Sequence, residues 1–235
     1  MIYALHGFLG LASDWNFLKP HFSVETDDLW QNYTSMSLKD WAEKKSAELD
    51  ARFSDPKEPR VLLGYSMGGR LAMHLLLARP RFWSAAILIS ANPGVSSVDE
   101  REARKLNDKK WAQKFLKEDW QQVISDWNKQ TLFAKGSSVL PRSEKDFDRR
   151  TLAACLEDWS LAKQEDLAVR LSQVSTPILW LAGEQDEKYC DLLSGFAQIA
   201  QSQSFQKISS AAHRVPWDNP EEFILALKAF LVREN

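Results

Sequence analysis

Short apolar runs that alternate with longer segments of helical period are the feature that most constrains the fold of this chain. The runs are only five to seven residues long and are rich in leucine, isoleucine and alanine: MIYAL, RVLLGY, SAAILIS, PILWLAG and FQKISS. Between them lie segments such as SLKDWAEKKSAELDARF, with Ser37 as a candidate N-cap, and MGGRLAMHLLLARP. Strands that alternate with helices build βαβ units. The sequence therefore predicts a parallel sheet with helices on its faces.

The pattern changes between Val98 and Asp166, where no run is typical of a strand. The stretches DEREARKLNDKKWAQKFLKEDWQQVISDWNK and EKDFDRRTLAACLEDWSLAKQ have helical period and are dense in tryptophan and charge. Ligands of open α/β folds bind at the carboxyl ends of the strands, so helices inserted between two strands can cover that edge. We predict a core formed by residues 1–97 and 167–235 and a helical lid formed by residues 98–166.

Composition excludes several classes of partner. The chain has 235 residues, 44% of them hydrophobic, and a formal net charge of −2 without a basic tail, so we expect one core and no nucleic-acid partner. No apolar run reaches the roughly 18 residues of a membrane span, and the N-terminus lacks the regions of a signal peptide. We expect a cytoplasmic protein without a membrane partner. Two cysteines (Cys155 and Cys190) and four histidines show no metal-ligand spacing, so we expect neither metal nor cofactor.

The pentapeptide Gly64-Tyr65-Ser66-Met67-Gly68 matches the pattern G-x-S-x-G at the junction of a predicted strand and a predicted helix. In a nucleophile elbow this turn holds the serine above the sheet, and its glycines let strand and helix approach closely. The amide of Met67 would stand at a helix N-terminus, where it can donate to developing negative charge. The amide of Phe8, in the loop LHGFLG, is our candidate for the second oxyanion donor.

A serine at such an elbow needs a histidine as base and a carboxylate that orients the histidine. In the chain order of this motif, an aspartate and then a histidine follow the serine, each after a strand. Asp186 lies after PILWLAG, and His213 lies after FQKISS. We therefore predict a catalytic triad of Ser66, His213 and Asp186. His74, inside a helix, is predicted to be a core histidine with its hydrogen bonds satisfied, and His6 to brace the oxyanion loop.

Over nearly the whole chain, LHGFLG, GYSMGGR and the later aspartate and histidine resemble the α/β-hydrolase superfamily. The stretches NPGVSSVDEREARKLNDKKWAQKFL, DWNKQ and LAACLEDWSLAKQEDL resemble, more narrowly, the family of 2-succinyl-6-hydroxy-2,4-cyclohexadiene-1-carboxylate synthases. This resemblance implies a lyase of menaquinone biosynthesis that eliminates pyruvate from an intermediate bearing several carboxylates. It also implies that the substrate is bound by Arg70, Arg104 and Trp127, with Arg142 as a fourth candidate; Tyr65, beside the serine, is a further candidate.

Arg70 supports an anionic substrate independently of that resemblance. It lies one helical turn beyond Ser66, so its side chain can reach the same site. A guanidinium binds a carboxylate through two parallel hydrogen bonds, whereas the apolar substrate of a simple lipase would gain little from a fixed cation. We expect a small polycarboxylate as substrate and a monomer or weak homo-oligomer. Other arginines of the predicted lid are expected to lie on a solvated face or in a surface ion pair: Arg101, Arg149 and Arg150.

Two departures from the family pattern leave alternatives open. The chain lacks the N-terminal β-hairpin of most relatives, so about six strands are expected, and ETDDLWQNYTSMS replaces the usual D-x-P-G-H-G-x-S turn. Both changes alter the surroundings of the site. A carboxylesterase or thioesterase that forms an acyl-serine on an anionic substrate therefore stays open as an alternative. A catalytically silent binding module is a third hypothesis. Such modules usually lack a residue of the triad, whereas this sequence contains all three.

Overall fold

A six-stranded sheet organises the computed structural model, which describes residues 1–31, 33–53, 55, 58–198 and 202–233. Its strands are β1 (Ile2–Leu5), β2 (Val24–Thr26), β3 (Val61–Tyr65), β4 (Ala85–Ile89), β5 (Ile178–Gly183) and β6 (Gln203–Ile208). They lie in the order β2-β1-β3-β4-β5-β6, and every neighbouring pair is parallel. The predicted α/β-hydrolase fold with six mostly parallel strands is therefore confirmed.

The strand order reverses between β1 and β3. The chain runs from β1 to β2 on one side of β1, and then returns to β3 on its other side. The loops that follow β1 and β3 therefore lead away from each other. Such a switch point opens a crevice at the carboxyl ends of the strands, where α/β proteins bind ligands. Here the loop after β1 contains Phe8 and the turn after β3 contains Ser66.

The apolar runs form strands because helices cover both faces of the sheet. Every residue of β1, β3, β4 and β5 is buried, whereas β2 and β6 are only partly buried at the two edges. Alternate residues of each inner strand enter two separate apolar cores, as in β1, where Tyr3 and Leu5 face one core and Ile2 and Ala4 the other. Sequence analysis did not locate β2, which has only three residues and no fully buried position.

The α-helices in the described part of the chain are α1 (Leu38–Arg52), α2 (Met67–Ala78), α3 (Val98–Lys117), α4 (Trp120–Asn128), α5 (Arg149–Asp158), α6 (Ala168–Ser172), α7 (Glu187–Ala197), α8 (Val215–Asp218) and α9 (Pro220–Arg233). The predicted N-cap of α1 is confirmed, because Ser37 Oγ accepts a hydrogen bond from the Asp40 amide at 3.1 Å. A short 3₁₀ helix, Ala12–Leu18, occupies the segment between β1 and β2. Among the described residues, no helix is both long and apolar enough to cross a bilayer.

Helices α3, α4 and α5 all lie between β4 and β5 in the chain, within residues 98–166. Side chains of these helices, among them Trp111, Phe115 and Leu152, join the apolar core of the sheet face that also carries α1 and α2. Helix α3 ends at Lys117, and Asp119 begins α4 by accepting a hydrogen bond from the Gln122 amide at 3.1 Å. The ETDDLWQNYTSMS stretch lies before α1; its residue Asn32 is outside the described residues.

Two glycines provide a matched test of how tightly α2 packs on the sheet. A Cβ at Gly68 would stand 2.3 Å from the His6 carbonyl oxygen, whereas a Cβ at Gly195 in α7 would meet nothing within 4 Å. We expect Gly68→Ala to lower the free energy of unfolding by about 2 kcal/mol or more, because backbone must move. Gly195→Ala should raise it by about 0.5–1 kcal/mol, because alanine favours the helix. Urea unfolding measures both, and equal effects would contradict this packing.

Candidate active site

The serine turn between β3 and α2 is strained and closely packed. Ser66 is the N-cap of α2 and has φ of 52° and ψ of −112°, values that non-glycine residues rarely adopt. Glycine is required beside it, since a Cβ at Gly64 would stand 2.5 Å from the Gly68 carbonyl oxygen. The Ser66 amide donates to the Ile89 carbonyl at 2.8 Å, which ties the turn to β4. The predicted elbow geometry is thus present at the carboxyl end of β3.

A continuous hydrogen-bonded series joins Ser66, His213 and Asp186. Ser66 Oγ lies 3.1 Å from His213 Nε2, and His213 Nδ1 lies 2.8 Å from Asp186 Oδ2. His213 is fully buried, and Asp186, the N-cap of α7, is buried as well. An ionised carboxylate can only accept, so His213 Nδ1 carries the proton and Nε2 accepts from the serine hydroxyl. The structure therefore brings together the three residues predicted as a triad, in the tautomer that can deprotonate Ser66.

The loop after β1 presents a free amide to the same site. The Gly10 amide donates to the Gly7 carbonyl at 2.9 Å, and Leu9 has a φ of 58°, so residues 7–10 form a tight turn. Phe8 lies in this turn and lines one cavity together with Ser66 and Met67. Among the described residues, no hydrogen bond engages the amide of Phe8 or of Met67. Both amides remain available to an oxyanion.

Buried side chains hold this turn in place. His6 Nε2 accepts a hydrogen bond from the Leu29 amide at 3.1 Å, so its Nδ1 carries the proton and donates to the Gly7 carbonyl at 2.9 Å. The indole of Trp30 donates to the Gly10 carbonyl at 2.6 Å. Burial lowers the pKa of His6, which keeps the ring neutral and preserves this pattern. The predicted bracing role of His6 agrees with these contacts.

Arg70 is a buried cation without a carboxylate partner among the described residues. It lines the cavity with Ser66, and only 7% of its surface is exposed. In the described part of the chain, its guanidinium donates to a neutral group, the Gln164 side chain, at 3.3 Å between Arg70 Nη1 and Gln164 Oε1. Burial and the nearby Arg104 lower the pKa of Arg70 to about 10. The guanidinium thus stays charged at neutral pH. The Asp108 carboxylate is near enough to raise the pKa of Arg70, but among the described residues no carboxylate is hydrogen-bonded to this guanidinium.

Three other predicted binding residues line the same cavity. Arg104 is partly neutralised, because its Nε donates to both carboxylate oxygens of Asp108 at 2.9 and 2.8 Å. Trp127 packs against Phe8 with ring centroids 4.8 Å apart. Tyr65 is buried with its ring 5.7 Å from that of His213. The structure therefore gathers Arg70, Arg104, Trp127 and Tyr65 around Ser66.

Arg142 lies in a neighbouring cavity instead. Its guanidinium forms a bidentate ion pair with Asp14, at 3.0 and 2.6 Å, and both side chains are nearly inaccessible. This cavity adjoins the one that contains Ser66, since four aromatic residues line both: Phe8, Tyr65, Trp127 and Phe133. Of the arginines expected at the surface, Arg150 is exposed. Arg149 forms the expected ion pair, with Glu144 at 2.6 Å, and also donates to the carbonyls of Phe115 and Glu118. Arg101 donates to the carbonyls of Val95 and Ala162.

Sequence analysis did not identify several polar residues of the site. Asp108 and Tyr189 line the cavity, and Gln164 holds Arg70. Arg214, next to His213, lies over the Phe133 ring and donates to the Ser138 carbonyl at 2.8 Å. Asp108 follows Arg104 by four residues on one helix, so the i,i+4 spacing was a signal for that pair. The other contacts join distant parts of the chain and left no local pattern.

His74 is buried as predicted, but the prediction that its hydrogen bonds are satisfied was wrong. Its Nε2 has no hydrogen-bond partner in the described part of the chain, although the ring borders a cavity lined mostly by polar side chains, among them Gln164 and Arg170. Burial, and the positive charges of Arg70 and Arg170, lower the pKa of His74 to about 4.

This depressed pKa predicts acid sensitivity. The unfolded chain protonates His74 below about pH 6.5 while the folded chain resists protonation, so stability falls as pH falls from 6.5 toward 4. We expect His74→Met to reduce the decrease in the free energy of unfolding between pH 6.5 and pH 4 by up to about 3 kcal/mol. Urea unfolding across this pH range measures it. His21→Met, at an exposed histidine, is the control, and an unchanged pH dependence in His74→Met would contradict the assignment.

The parallel sheet, the serine turn and the buried Ser66–His213–Asp186 series define an enzyme of the α/β-hydrolase fold. The family described as Serine aminopeptidase, S33 matches residues 43–215. A 2-succinyl-6-hydroxy-2,4-cyclohexadiene-1-carboxylate synthase of Serratia proteamaculans is 31% identical over 97% of this chain and 91% of its own length. One of Klebsiella pneumoniae is 36% identical over 72% of this chain and 67% of its own.

Solved structures agree with these relatives. The structure of MenH from S. aureus superposes with a TM-score of 0.89, at 25% identity, over 99% of this chain and 93% of that one. A thermophilic esterase from Thermogutta terrifontis, bound to malate, superposes with a TM-score of 0.76 over 99% of this chain and 89% of that one; at 19% identity it shows the fold alone. The chain belongs to the family of 2-succinyl-6-hydroxy-2,4-cyclohexadiene-1-carboxylate synthases, lyases of menaquinone biosynthesis on the α/β-hydrolase fold.

Proposed function

We propose that this enzyme eliminates pyruvate from a succinyl-enolpyruvyl-hydroxycyclohexene-carboxylate and so forms 2-succinyl-6-hydroxy-2,4-cyclohexadiene-1-carboxylate. The observation that carries the proposal is Arg70, a buried guanidinium beside Ser66 with no carboxylate partner among the described residues. Leaving such a charge buried is unfavourable unless an anion completes the site. A substrate with several carboxylates supplies that anion, and the curated relatives carry the name of this product.

In the proposed mechanism, Ser66 acts as a base. His213 Nε2 takes the proton of the Ser66 hydroxyl, and Asp186 stabilises the resulting imidazolium. The Ser66 oxygen then removes a ring proton from the substrate. The electron pair of that C–H bond forms a new ring double bond, the existing ring double bond shifts along the ring, and the C–O bond to the enolpyruvyl group breaks with its electron pair on oxygen. The departing enolate takes up a proton from the His213 imidazolium and becomes pyruvate, which returns Ser66 and His213 to their starting protonation states. No bond forms between Ser66 and carbon.

The amides of Phe8 and Met67 are proposed as the oxyanion hole. Negative charge passes from the ring carbon onto the conjugated succinyl carbonyl oxygen as the proton is removed, and two preorganised donors stabilise it. Arg70 and Arg104 would bind carboxylates, with Tyr65 and Trp127 forming apolar walls. Asp108 holds Arg104 from one side, so its remaining N–H groups can face the ligand. Arg142, paired with Asp14, would contact the substrate only if that ion pair opens.

Residues 98–166 are proposed to act as a lid that must move to admit substrate. Helices α3, α4 and α5 supply residues of the cavity wall, among them Asn107, Trp127 and Leu156. The cavity has a volume of about 110 Å³, which is below the roughly 300 Å³ of small ligand pockets. Closure over a bound substrate would exclude water and strengthen the contacts of its carboxylates with arginine. Residues 1–97 and 167–235 would form the fixed core.

Pyruvate release tests this function. The purified chain is incubated with the proposed substrate, and pyruvate is measured through the oxidation of NADH by lactate dehydrogenase. We expect release well above the spontaneous rate. A rate equal to the spontaneous one would reject the proposal.

An esterase or thioesterase for anionic acyl groups is the second candidate. The specific observation in its favour is the Ser66–His213 contact at 3.1 Å with Nε2 as acceptor, because acyl transfer needs the same geometry. Rapid turnover of p-nitrophenyl acetate without any release of pyruvate would favour this candidate over the lyase.

A further inference from the structure

Gln164 lies behind Arg70, at the end of the 98–166 segment and outside the walls of the cavity that contains Ser66. It is 2% exposed. Its Oε1 accepts from Arg70 Nη1 at 3.3 Å, and its Nε2 donates to the Asn92 carbonyl at 3.2 Å. Asn92 is itself fixed, because its side chain accepts from the Gly94 amide at 2.9 Å. Gln164 thus links the guanidinium to the loop that follows β4.

The orientation of the Gln164 amide is determined from both ends. A guanidinium only donates, so the group that faces Arg70 must be the oxygen. A carbonyl only accepts, so the group that faces Asn92 must be the NH₂. The two requirements agree, and no flipped amide satisfies either of them. The amide therefore holds Arg70 in one direction.

The acceptor that Gln164 offers carries no charge. Arg104, in the same cavity, is held by the carboxylate of Asp108, which offsets its charge. Arg70 is hydrogen-bonded to an amide instead, and in the described part of the chain Asp108 acts on it only through space, so its N–H groups are not occupied by a carboxylate and stay available to a ligand. A glutamate is nearly the same size as a glutamine. One of its oxygens would accept from Arg70 more strongly and compete with the carboxylate of the ligand, whereas the other would face the Asn92 carbonyl without a hydrogen bond, a loss that the Arg70→Ala background also contains. An amide at position 164 should therefore allow Arg70 to bind an anionic ligand more tightly than a carboxylate at that position would.

We propose that Gln164 is a positioning residue that aims the Arg70 guanidinium at a substrate carboxylate without pairing it with a carboxylate of the protein, and so sets the specificity of the cavity for anions. This inference rests on the proposed function only for the identity of the anion. It assigns to Gln164 an effect that acts through Arg70 alone.

The test compares Gln164→Glu, Arg70→Ala and the double variant with the wild-type enzyme. Pyruvate release gives KM and kcat. Quenching of tryptophan fluorescence gives the Kd of phthalate, an aromatic dianion, and of benzamide, an uncharged ring, without any reaction. Trp111, Trp127 and Trp159 line the cavity and report on both probes. Gln173→Glu, at an exposed glutamine, controls for an added carboxylate, and thermal denaturation checks folding.

For Gln164→Glu we expect KM and the Kd of phthalate to rise at least tenfold, with kcat within about threefold and benzamide binding unchanged. In the Arg70→Ala background the same substitution should change phthalate binding less than twofold, since coupled residues are not additive. Equal losses for phthalate and benzamide, or additive effects in the double variant, would overturn the inference. If wild type releases no pyruvate but phthalate shows the Arg70-dependent loss, the proposed function fails and this inference stands. If the wild-type enzyme releases pyruvate and Gln164→Glu changes neither KM nor kcat, the proposed function stands and this inference fails.

Discussion

Replacing Ser66 with alanine is expected to lower kcat for pyruvate release by about 10³-fold, with little change in KM. The hydroxyl is the group proposed to take the ring proton, whereas the arginines are proposed to bind the carboxylates of the substrate. His213, 3.1 Å from Ser66 Oγ in the wild type, would be left without access to the substrate proton. Steady-state kinetics with the lactate dehydrogenase assay measures the loss.

Ser210→Ala is the matched control for this substitution. Ser210 also has a positive φ, 53° against 52° for Ser66, so both variants place alanine in a strained backbone, but Ser210 is exposed. We expect its activity to equal that of the wild type. If Ser66→Ala kept more than a tenth of the wild-type kcat, Ser66 would not be the base.

Arg70→Ala is expected to lower kcat/KM for pyruvate release about a hundredfold, mainly through KM. Removing one partner of a buried, charge-assisted contact costs about 2–5 kcal/mol, and each 1.4 kcal/mol is tenfold in binding. Hydrolysis of a small uncharged ester, if the chain has any, should be spared, because such a substrate has no carboxylate for the guanidinium. Parallel assays with the polycarboxylate and with p-nitrophenyl acetate measure this selectivity.

The control for Arg70 is Arg150→Ala, which removes an exposed arginine of the 98–166 segment and should leave both reactions unchanged. A proportional loss of both reactions in Arg70→Ala would mean that the arginine supports the fold of α2 and not the anion. If Arg70→Ala lowered only the hydrolysis of the uncharged ester, the proposal that Arg70 binds a substrate carboxylate would be wrong.

Local patterns made most of the fold and the centre of the site predictable. The inner strands are buried on both faces, so their apolar runs stood out, and the G-x-S-x-G turn marked Ser66 because few residues fit between β3 and α2. Asp186 and His213 follow β5 and β6 directly. Their placement was predictable because parallel strands bring their carboxyl ends to one edge of a sheet.

Contacts between distant segments could not be predicted in the same way. Arg70 and Gln164 are 94 residues apart, and Arg142 and Asp14 are 128 apart. Neither pair leaves a periodic signal, because the packing of the 98–166 segment on the core decides which side chains meet. The sequence therefore indicated that Arg142 could bind substrate but not that Asp14 neutralises it. Strand β2 escaped notice because it is short and lies at an edge.

The mass of the intact enzyme during turnover tests most directly whether Ser66 removes a proton instead of attacking carbon. The enzyme is mixed with saturating substrate, quenched in acid while pyruvate is still accumulating, and weighed by mass spectrometry. The account predicts an unmodified chain at every time point together with continuous release of pyruvate. A substrate-derived adduct that forms and decays at the rate of turnover, and that maps to Ser66, would contradict it.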